Sequence, residues 1–489
     1  MAHMLPSEEH ASAERSLELG GLLMAVVFTG SVLAFGGVAP VAYGLMEAGI
    51  LAAAILCFWR GWQRIPGLAL LVLAVIVGVP FLQLIPLPSG LTALLSPNRG
   101  VFAARLLSSF SPSPAYLALS LNPHATEVAV SKLIACVLAF LIGHKLAVHG
   151  RGFILLRTLL IVGLFEACYG LVQYLAGWPY IFTYRNVFGI DNATGTYINR
   201  NHFAGLLEMV LPFVVAGVLF RHQSKANLGI RRKLAVMLGS EGNFRLLAQA
   251  MVLTVLSLAL IFSRSRMGIA AALSGVLLVG GLQTLKYRKG SAVALLLVLF
   301  LVPVCYAFWV GVEAVTSRFE MLGRAGAMER DRLPVWRDSL RAIGDFQWMG
   351  TGLGTYDWAA MHYQTSFLSY RYEHAHNDYL EFAVEIGIPA AALLFAGLWA
   401  LVLRAARTAV RATHRSAAIL AAGSAGALFA ILLHAITDFN LQIPANALLF
   451  CWVAGTAMGV SCESGNQRPR VAVNLPGARD DASLAEGAG

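Results

Sequence analysis

The chain has 489 residues, of which 58% are hydrophobic and only 13% are charged, and its mean hydropathy is +0.69. Soluble domains carry about 25% charged residues, so this composition excludes a soluble globular protein and predicts that lipid covers much of the surface. The net charge of +10 would also suit nucleic acid, but most lysines and arginines stand in short segments between apolar runs. The six cysteines have no CxxC spacing, which argues against a disulfide framework or a metal site.

Long apolar runs recur along the whole chain. A bilayer-spanning helix needs about 20 such residues. Runs of this length lie near 19–38, 41–59, 66–85, 126–147, 153–176, 203–220, 246–262, 267–285, 291–311, 386–403, 417–436 and 443–461. We therefore predict an all-α polytopic membrane protein with about 12 transmembrane helices.

The segments between the spans differ in charge. Every second one is short and basic, as at Arg60 and Arg64, and the positive-inside rule places these segments in the cytoplasm together with both termini. The predicted N-terminus over 1–18 is cytoplasmic, and its first residues (1–4) look like a cloning scar. Transmembrane helices one to nine are predicted over 19–311, followed by a large periplasmic loop with short helices over 312–385. Helices ten to twelve are predicted over 386–461 and a disordered cytoplasmic tail over 462–489.

Two histidines stand at the end of the large loop, at His374 and His376. Histidine titrates near neutral pH, so it suits a general base or a substrate-binding group, and structural hydrogen bonding at the membrane surface is the alternative. A metal site is disfavoured, because residues two apart do not share a helix face and no HExxH spacing is present.

Arginines stand at the outward ends of two other predicted spans. Arg200 has hydrogen-bonding neighbours, Asn199 and His202, that a simple membrane anchor would not need. Arg264 and Arg266 share a tight turn. Guanidinium groups bind phosphate through paired donors, so these arginines predict a diphosphate site, with anchoring at the lipid interface as the alternative.

Further polar residues accompany these segments. The large loop carries Arg332, Trp336 and Arg337 on a predicted helix, and Asp438 lies at the apolar edge of the last outward turn. An uncompensated carboxylate is costly there, so Asp438 is predicted to pair with an arginine of another loop or to act directly. The derived topology brings all these segments to one face. Arginines with a histidine at headgroup depth suit a lipid-linked phosphate donor and a hydroxyl acceptor.

One motif resembles a known family. His376 and Asn377, followed by nine residues and then Gly387, resemble the pattern of the bacterial O-antigen ligase and polymerase superfamily. Ala390 stands where that pattern usually ends in Gly, Thr or Tyr. The basic positions Arg200 and Arg266 are also similar to the family, the segment from Asp438 looks like a variant of its exopolysaccharide-type members, and the resemblance covers about 19–461.

The resemblance implies a GT-C-like glycosyltransferase of the bacterial inner membrane with its active site facing the periplasm. The donor would be an undecaprenyl-diphosphate-linked glycan, the acceptor a glycan or the lipid A-core, and the linkage would invert without a metal or cofactor. It selects His376 rather than His374 as the base, with the diphosphate on Arg200, Arg266 and Arg264. Supporting or acceptor positions would be His374, Asn377, Tyr197, Asn199, His202, Arg332, Trp336, Arg337 and Asp438.

Two reactions stay open within this prediction. A polymerase extends a chain that is still on lipid, whereas a ligase moves finished polymer onto lipopolysaccharide core, and Ala390 with the Asp438 segment favours the polymerase. The alternative from another class is a lipid-linked oligosaccharide transporter or flippase, which needs charged groups near the bilayer midplane. Only Glu47, Glu166 and Glu208 stand in mid-span regions, which favours an enzyme.

Overall fold

The computed structural model describes residues 8–107, 115–187, 189–220, 241–287, 322–365 and 371–463. Within these ranges the fold is helical, and its helices are α1 (Glu8–Leu33), α2 (Pro40–Phe58), α3 (Gly67–Leu84), α4 (Ser89–Leu95), α5 (Pro97–Leu107), α6 (Pro123–Val148), α7 (Phe153–Leu175), α8 (Arg200–Leu219), α9 (Glu241–Phe262), α10 (Arg266–Tyr287), α11 (Leu322–Asp345), α12 (Tyr356–Tyr363), α13 (Asp378–Arg411), α14 (Arg415–His434) and α15 (Pro444–Glu463). Two antiparallel pairs of two-residue strands join β1 (Leu87–Pro88) to β2 (Tyr116–Leu117) and β3 (Tyr180–Ile181) to β4 (Tyr184–Arg185).

Ten of the described helices are long and apolar enough to cross a membrane, namely α1, α2, α3, α6, α7, α8, α10, α13, α14 and α15. This confirms the prediction of an all-α polytopic membrane protein. The predicted span at 246–262 corresponds to the shorter apolar stretch Ala248–Phe262 of α9, and the predicted span at 291–311 lies outside the described residues.

The helices are unequally buried. In α8 the most apolar window is 94% buried and in α15 83%, whereas in α3 it is 17%. A helix that is apolar on all sides is either central in the protein or surrounded by lipid. Helices α8, α14 and α15 therefore form the centre, and close approaches at small residues, such as Gly426 of α14 against Pro212 of α8, let them pack tightly.

One end of the helices is tied together by lysines. Lys145 donates to the carbonyls of Cys57 and Gly61, and Lys286 donates to those of Val410 and Ala412. A lysine suits these places because the last carbonyls of a helix lack partners within it. The described part of the predicted basic segments thus gathers at one end of the molecule, opposite to the end where α13 begins.

Helix α13 begins earlier than predicted, at Asp378 rather than at 386. Asn377 is its N-cap and accepts a hydrogen bond from the Leu380 amide. Its first ten residues end at a kink at Gly387, where φ is +79° and a Cβ would overlap the Trp348 carbonyl. Only glycine fits such a site without strain. The amide of Ile388 then donates to the Gln347 carbonyl at 2.8 Å, which fastens the large loop to α13.

Candidate active site

The start of α13 is held against the turn that follows α14. The amide of Asp378 donates to the Ala435 carbonyl at 2.8 Å, and the Asp378 carboxylate accepts from the amide of Leu441 at 3.1 Å. His376 lies two residues before the helix, and its φ is +50°. A non-glycine residue in this left-handed region is uncommon and costs energy, so the surrounding contacts must impose it. They direct the imidazole of His376 toward the same turn.

A buried carboxylate occupies that turn. Asp438 is 1% exposed, and Asn201 of α8 donates to it at 2.6 Å. An Arg332 nitrogen of α11 lies 3.5 Å away, so the predicted arginine partner is present. The ring nitrogens of His202 (Nε2) and His376 (Nδ1) lie 3.7 Å and 3.9 Å from the other carboxylate oxygen. We call these five residues the Asp438 centre.

Both distances exceed the hydrogen-bond range, so the two imidazoles lie beside the carboxylate without a direct hydrogen bond to it. Burial by itself would raise the pKa of Asp438, but the neighbouring side chains of His202 and His376 hold that pKa well below its usual range. The carboxylate therefore stays ionised at neutral pH. An ionised carboxylate beside Nδ1 favours a proton on that nitrogen, which leaves Nε2 with the lone pair.

His376 is accessible only on one side of its ring. Its Nδ1 is buried, faces Asp438 and has no hydrogen-bond partner among the described residues. The side chain is nevertheless 36% exposed, so the exposed area lies on the Nε2 side. An oriented imidazole with an open Nε2 can accept a proton from a bound hydroxyl group.

His374 has a different environment. It shares a 2.7 Å hydrogen bond with Glu381, whose other oxygen accepts from the Ala375 amide, and it stacks on Phe439 with ring centroids 4.1 Å apart. Burial lowers the pKa of His374, but the Glu381 carboxylate outweighs it and raises the pKa above its usual value. A histidine held protonated is a poor base, so of the two histidines His376 has the better geometry for that role.

Phe439 packs the three histidines of the site together. It is stacked on His374 and presents an edge-on contact to His202 and His376, with centroid distances of 4.7 Å and 4.9 Å. Sequence reasoning did not single it out, since one phenylalanine beside an apolar span is unremarkable. Glu381 was also missed, although its partners His374 and Ala375 lie only seven and six residues before it. Asn201 is a hydrogen-bonding neighbour of Arg200 in the sequence, but its contact with Asp438, 237 positions away, was not predicted.

The predicted phosphate-binding arginines lie at the starts of two neighbouring helices. Arg200 is the first residue of α8 and Arg266 the first of α10. The turn before α10 lies against the segment before α8, since the Ala193 amide donates to the Phe262 carbonyl and Gly268 packs against Ala204. We call Arg200, Arg264 and Arg266 the arginine rim.

The arginine rim is loosely held. Arg200 donates to Asn192 at 3.2 Å, and Arg264 lies over the ring of Tyr174 with φ at +56°. Arg266 is exposed and makes no hydrogen bond or ion pair with the part of the chain that the structure describes. Helix N-termini attract anions, and neither α8 nor α10 has an acidic residue in its first turn. Two such termini with arginines suit a diphosphate.

The remaining predicted positions have packing or capping contacts. Tyr197 is buried and its hydroxyl donates to Asn446. Asn199 is the N-cap of α8 and accepts from the Asn201 amide. Trp336 donates to the Ala375 carbonyl, which supports the histidine segment, and Arg337 is exposed with no hydrogen bond or ion pair to any described residue. Among the described residues, no group of three or more His, Cys, Asp and Glu side chains is arranged to hold a metal ion.

Residues 250–395 match the family model described as O-Antigen ligase. The match contains Arg264, Arg266, Arg332 and both histidines, while Arg200 and Asp438 lie outside it. No curated protein matches the chain. The family match indicates an enzyme of the ligase or polymerase type that acts on glycans. It confirms, over residues 250–395, the resemblance to the O-antigen ligase superfamily noted in the sequence.

Proposed function

We propose that the protein transfers a glycan from undecaprenyl diphosphate to a hydroxyl acceptor at the periplasmic face of the inner membrane, without a metal. The observation that carries this proposal is the place of His376. Its Nδ1 faces a buried carboxylate, its Nε2 side is open, and it lies at the same end of the helices as the arginine rim. A base and a phosphate site at one face are what such a transfer requires.

The proposed step is a single displacement. The acceptor hydroxyl oxygen attacks the anomeric carbon of the donor sugar, and the bond from that carbon to the diphosphate oxygen breaks. The hydroxyl proton passes to Nε2 of His376, and the electron pair of the broken bond leaves with undecaprenyl diphosphate. Attack opposite the leaving group inverts the anomeric centre. A positioned general base contributes about 10²–10⁴-fold to the rate of such a reaction.

The arginine rim would hold the leaving group. Charge on the diphosphate grows as the sugar–oxygen bond breaks, and preorganised cations stabilise that charge. Arg266 and Arg200 each stand in the first turn of a helix, where a cation opposes the helix dipole. A bound diphosphate would relieve both conflicts, because it lies between arginines and against helix N-termini.

The length and attachment of the product distinguish polymerisation from ligation better than the residue at position 390 does. Ala390 is buried in apolar packing with Ile76 of α3 and Leu353 of the large loop, away from the Asp438 centre, so its departure from the family pattern does not bear on the acceptor. Only the Asp438 segment then favours a polymerase. We keep polymerisation as the first form of the proposal and ligation to lipid A-core as the second.

The test is an assay of purified protein with lipid-linked repeat units, with and without lipopolysaccharide core, and products separated by gel. A ladder without core means polymerisation, and one core-dependent shift means ligation. His376→Ala should abolish either product, whereas His124→Ala, a control at an 85% exposed histidine, should not. Retained activity in His376→Ala contradicts the proposed base.

Two further outcomes would overturn the proposal. If EDTA stopped the wild-type reaction and a divalent ion restored it, the metal-free step would be wrong. If the folded protein made no product but moved labelled lipid-linked sugar between leaflets of a proteoliposome, and His376→Ala did the same, the transporter alternative would replace it.

A further inference from the structure

Helix α8 clamps the turn that carries Asp438 at three levels. Asn201, Gly205 and Glu208 are spaced so that they lie on one face of the helix. Asn201 donates to Asp438 at 2.6 Å. Gly205 lies so close to Asn440 that a Cβ would overlap the side-chain oxygen. One turn deeper, the Glu208 carboxylate lies 2.9 Å from Nδ1 of His434. Asn201 and Gly205 contact residues of the turn directly, and Glu208 contacts His434, the residue from which the turn starts.

The Glu208–His434 pair is buried at a depth where desolvation of polar groups costs free energy. The side chains of Glu208 and His434 are 0% and 1% exposed, and Glu208 stands within a membrane-spanning helix. One Glu208 oxygen has no hydrogen-bond partner among the described residues. Apolar residues of similar size would pack here equally well, since buried ion pairs contribute little to the stability of a fold. A polar pair at this depth therefore points to function.

His434 connects this pair to Asp438 through the backbone. It is the last residue of α14, and its carbonyl accepts hydrogen bonds from the amides of Thr437 at 2.9 Å and Asp438 at 3.1 Å. The turn is therefore built on His434. The Glu208 contact fixes the His434 side chain at the residue on which the turn is built, so repacking of His434 would shift the Asp438 carboxylate relative to His376. At 3.9 Å from Nδ1 that carboxylate has little room to move before its effect on the ring is lost.

We propose that Glu208 is a positioning residue for the transfer reaction, which acts through His434 to fix the Asp438 turn and thereby the orientation of His376. This rests on the proposed function. Glu208 touches neither reacting group; it sets where Asp438 lies. The titratable and charged groups that face His376 are Asp438, His202, Arg332 and His374, and substitution of Glu208 leaves all four in the chain.

The experiment compares Glu208→Ala, Glu208→Gln and Glu208→Asp with wild type, using Glu47→Ala as the matched control. Glu47 is another carboxylate in a span, and among the described residues it accepts a hydrogen bond from Ser131 of α6. For each purified variant that is folded by size exclusion and melting, kcat and KM for donor and acceptor are measured between about pH 5 and about pH 9, where histidine titrates. Hydrogen exchange of the peptide that contains Thr437 and Asp438 is measured in parallel.

Glu208→Ala should lower kcat by about tenfold, less than the 10²-fold or more expected from loss of the base itself, while both KM values stay within about twofold. The acidic limb of the pH–rate profile should move, because the Asp438 carboxylate is displaced from Nδ1 of His376. The amides of Thr437 and Asp438 should exchange faster. Glu208→Gln should restore kcat and slow exchange, since its amide oxygen accepts from His434, and Glu208→Asp should lie between. Glu47→Ala should match wild type.

A folded Glu208→Ala with wild-type kcat, pH profile and exchange overturns the proposal, and so does a loss of activity without a shift of the acidic limb. If Glu208→Ala does not fold, Glu208→Asp decides, since an unchanged pH profile and exchange in that variant overturn the proposal equally. Failure of the proposed function has a different signature: wild type makes no product, or His376→Ala is as active as wild type, whatever Glu208 does.

Discussion

The Asp438 centre and the arginine rim lie at the same end of the helices but are built differently. Asp438 is 1% exposed and is surrounded by an amide, a guanidinium and two imidazoles at 2.6 to 3.9 Å. Arg266 of the rim is exposed and has no hydrogen bond or ion pair with any described residue. The Asp438 centre surrounds its charge with protein groups, whereas Arg266 presents its charge outward.

This difference matches two kinds of chemical work. A base must be held within a fraction of an ångström and in one tautomer, which needs contacts that persist without substrate. A phosphate site needs its charges unpaired until the anion arrives, because a cation already bound to a carboxylate gains little from a second anion. Substitutions in the Asp438 centre should therefore alter kcat and pH dependence, and those in the rim should alter donor KM.

Asp438→Asn should have the largest effect. The amide removes the charge beside Nδ1 of His376 but keeps the shape of the side chain, so the imidazole loses the partner that fixes its tautomer. We expect kcat to fall by about 10²-fold, near the lower limit of what a general base contributes, with donor KM unchanged. Steady-state kinetics on the folded variant measures both.

Ile436→Ala is the matched control, since that side chain lies in the same turn and is 43% exposed. If Asp438→Asn raises donor KM and leaves kcat alone, Asp438 belongs functionally with the arginine rim and the comparison fails.

Arg266→Ala should have the next largest effect and the opposite balance. Donor KM should rise about tenfold, which corresponds to the loss of one charge-assisted contact of about 1.4 kcal/mol, while kcat at saturating donor changes less. The melting temperature should stay the same or rise slightly, since a cation in the first turn of α10 opposes the helix dipole. Arg266→Lys should recover part of the donor affinity.

A fall in melting temperature for Arg266→Ala would mean that the arginine contributes to folding. An unchanged donor KM in Arg266→Ala and Arg200→Ala together would remove the phosphate role from the rim.

Sequence patterns predicted the spans and placed the segments of the candidate site at one end. Apolar run length and loop charge suffice for that, because lipid imposes the same requirement on every span. The motif of His376, Asn377 and Gly387 also has a local physical basis: the asparagine caps α13 and the glycine ends its first segment at the kink. The start of α13 was predicted too late because Asp378, Glu381 and Glu385 lower the local hydropathy, although a cap followed by acidic residues signals a helix N-terminus.

Contacts between distant segments could not be predicted. The Glu208–His434 pair joins residues 226 positions apart, and each was visible in the sequence only as an isolated polar residue in or beside a span. The same holds for Phe439, whose three ring contacts come from two other segments. Hydropathy indicates which residues contact lipid. Contacts between polar residues depend on the rotation and register of the helices, and no periodic pattern in a single sequence indicates these.

His374 should influence stability in a pH-dependent way without acting as the base. Since Glu381 raises its pKa despite burial, the pair stabilises the fold fully below the unfolded pKa of about 6.5, and this contribution is lost as pH rises through the folded pKa. His374→Gln does not titrate, so the difference in melting temperature from wild type should be largest at acidic pH and shrink toward alkaline pH. His124→Gln, at an exposed position, should show no such trend. A difference that grows with pH would mean that His374 is neutral in the fold.

Arg332 tests where the boundary between the two regions lies, and its effect should be the smallest. It is 31% exposed and 3.5 Å from Asp438, so it could act in the Asp438 centre or reach toward the donor. Half-exposed ion pairs contribute about 0–1 kcal/mol, so Arg332→Gln should change rates by at most about fivefold. If Arg332 serves Asp438, the change falls on kcat, because the guanidinium then acts through the carboxylate that faces His376. A change confined to donor KM would place Arg332 with the rim, and Arg337→Gln, one turn further along α11 and exposed, is the control that should show neither.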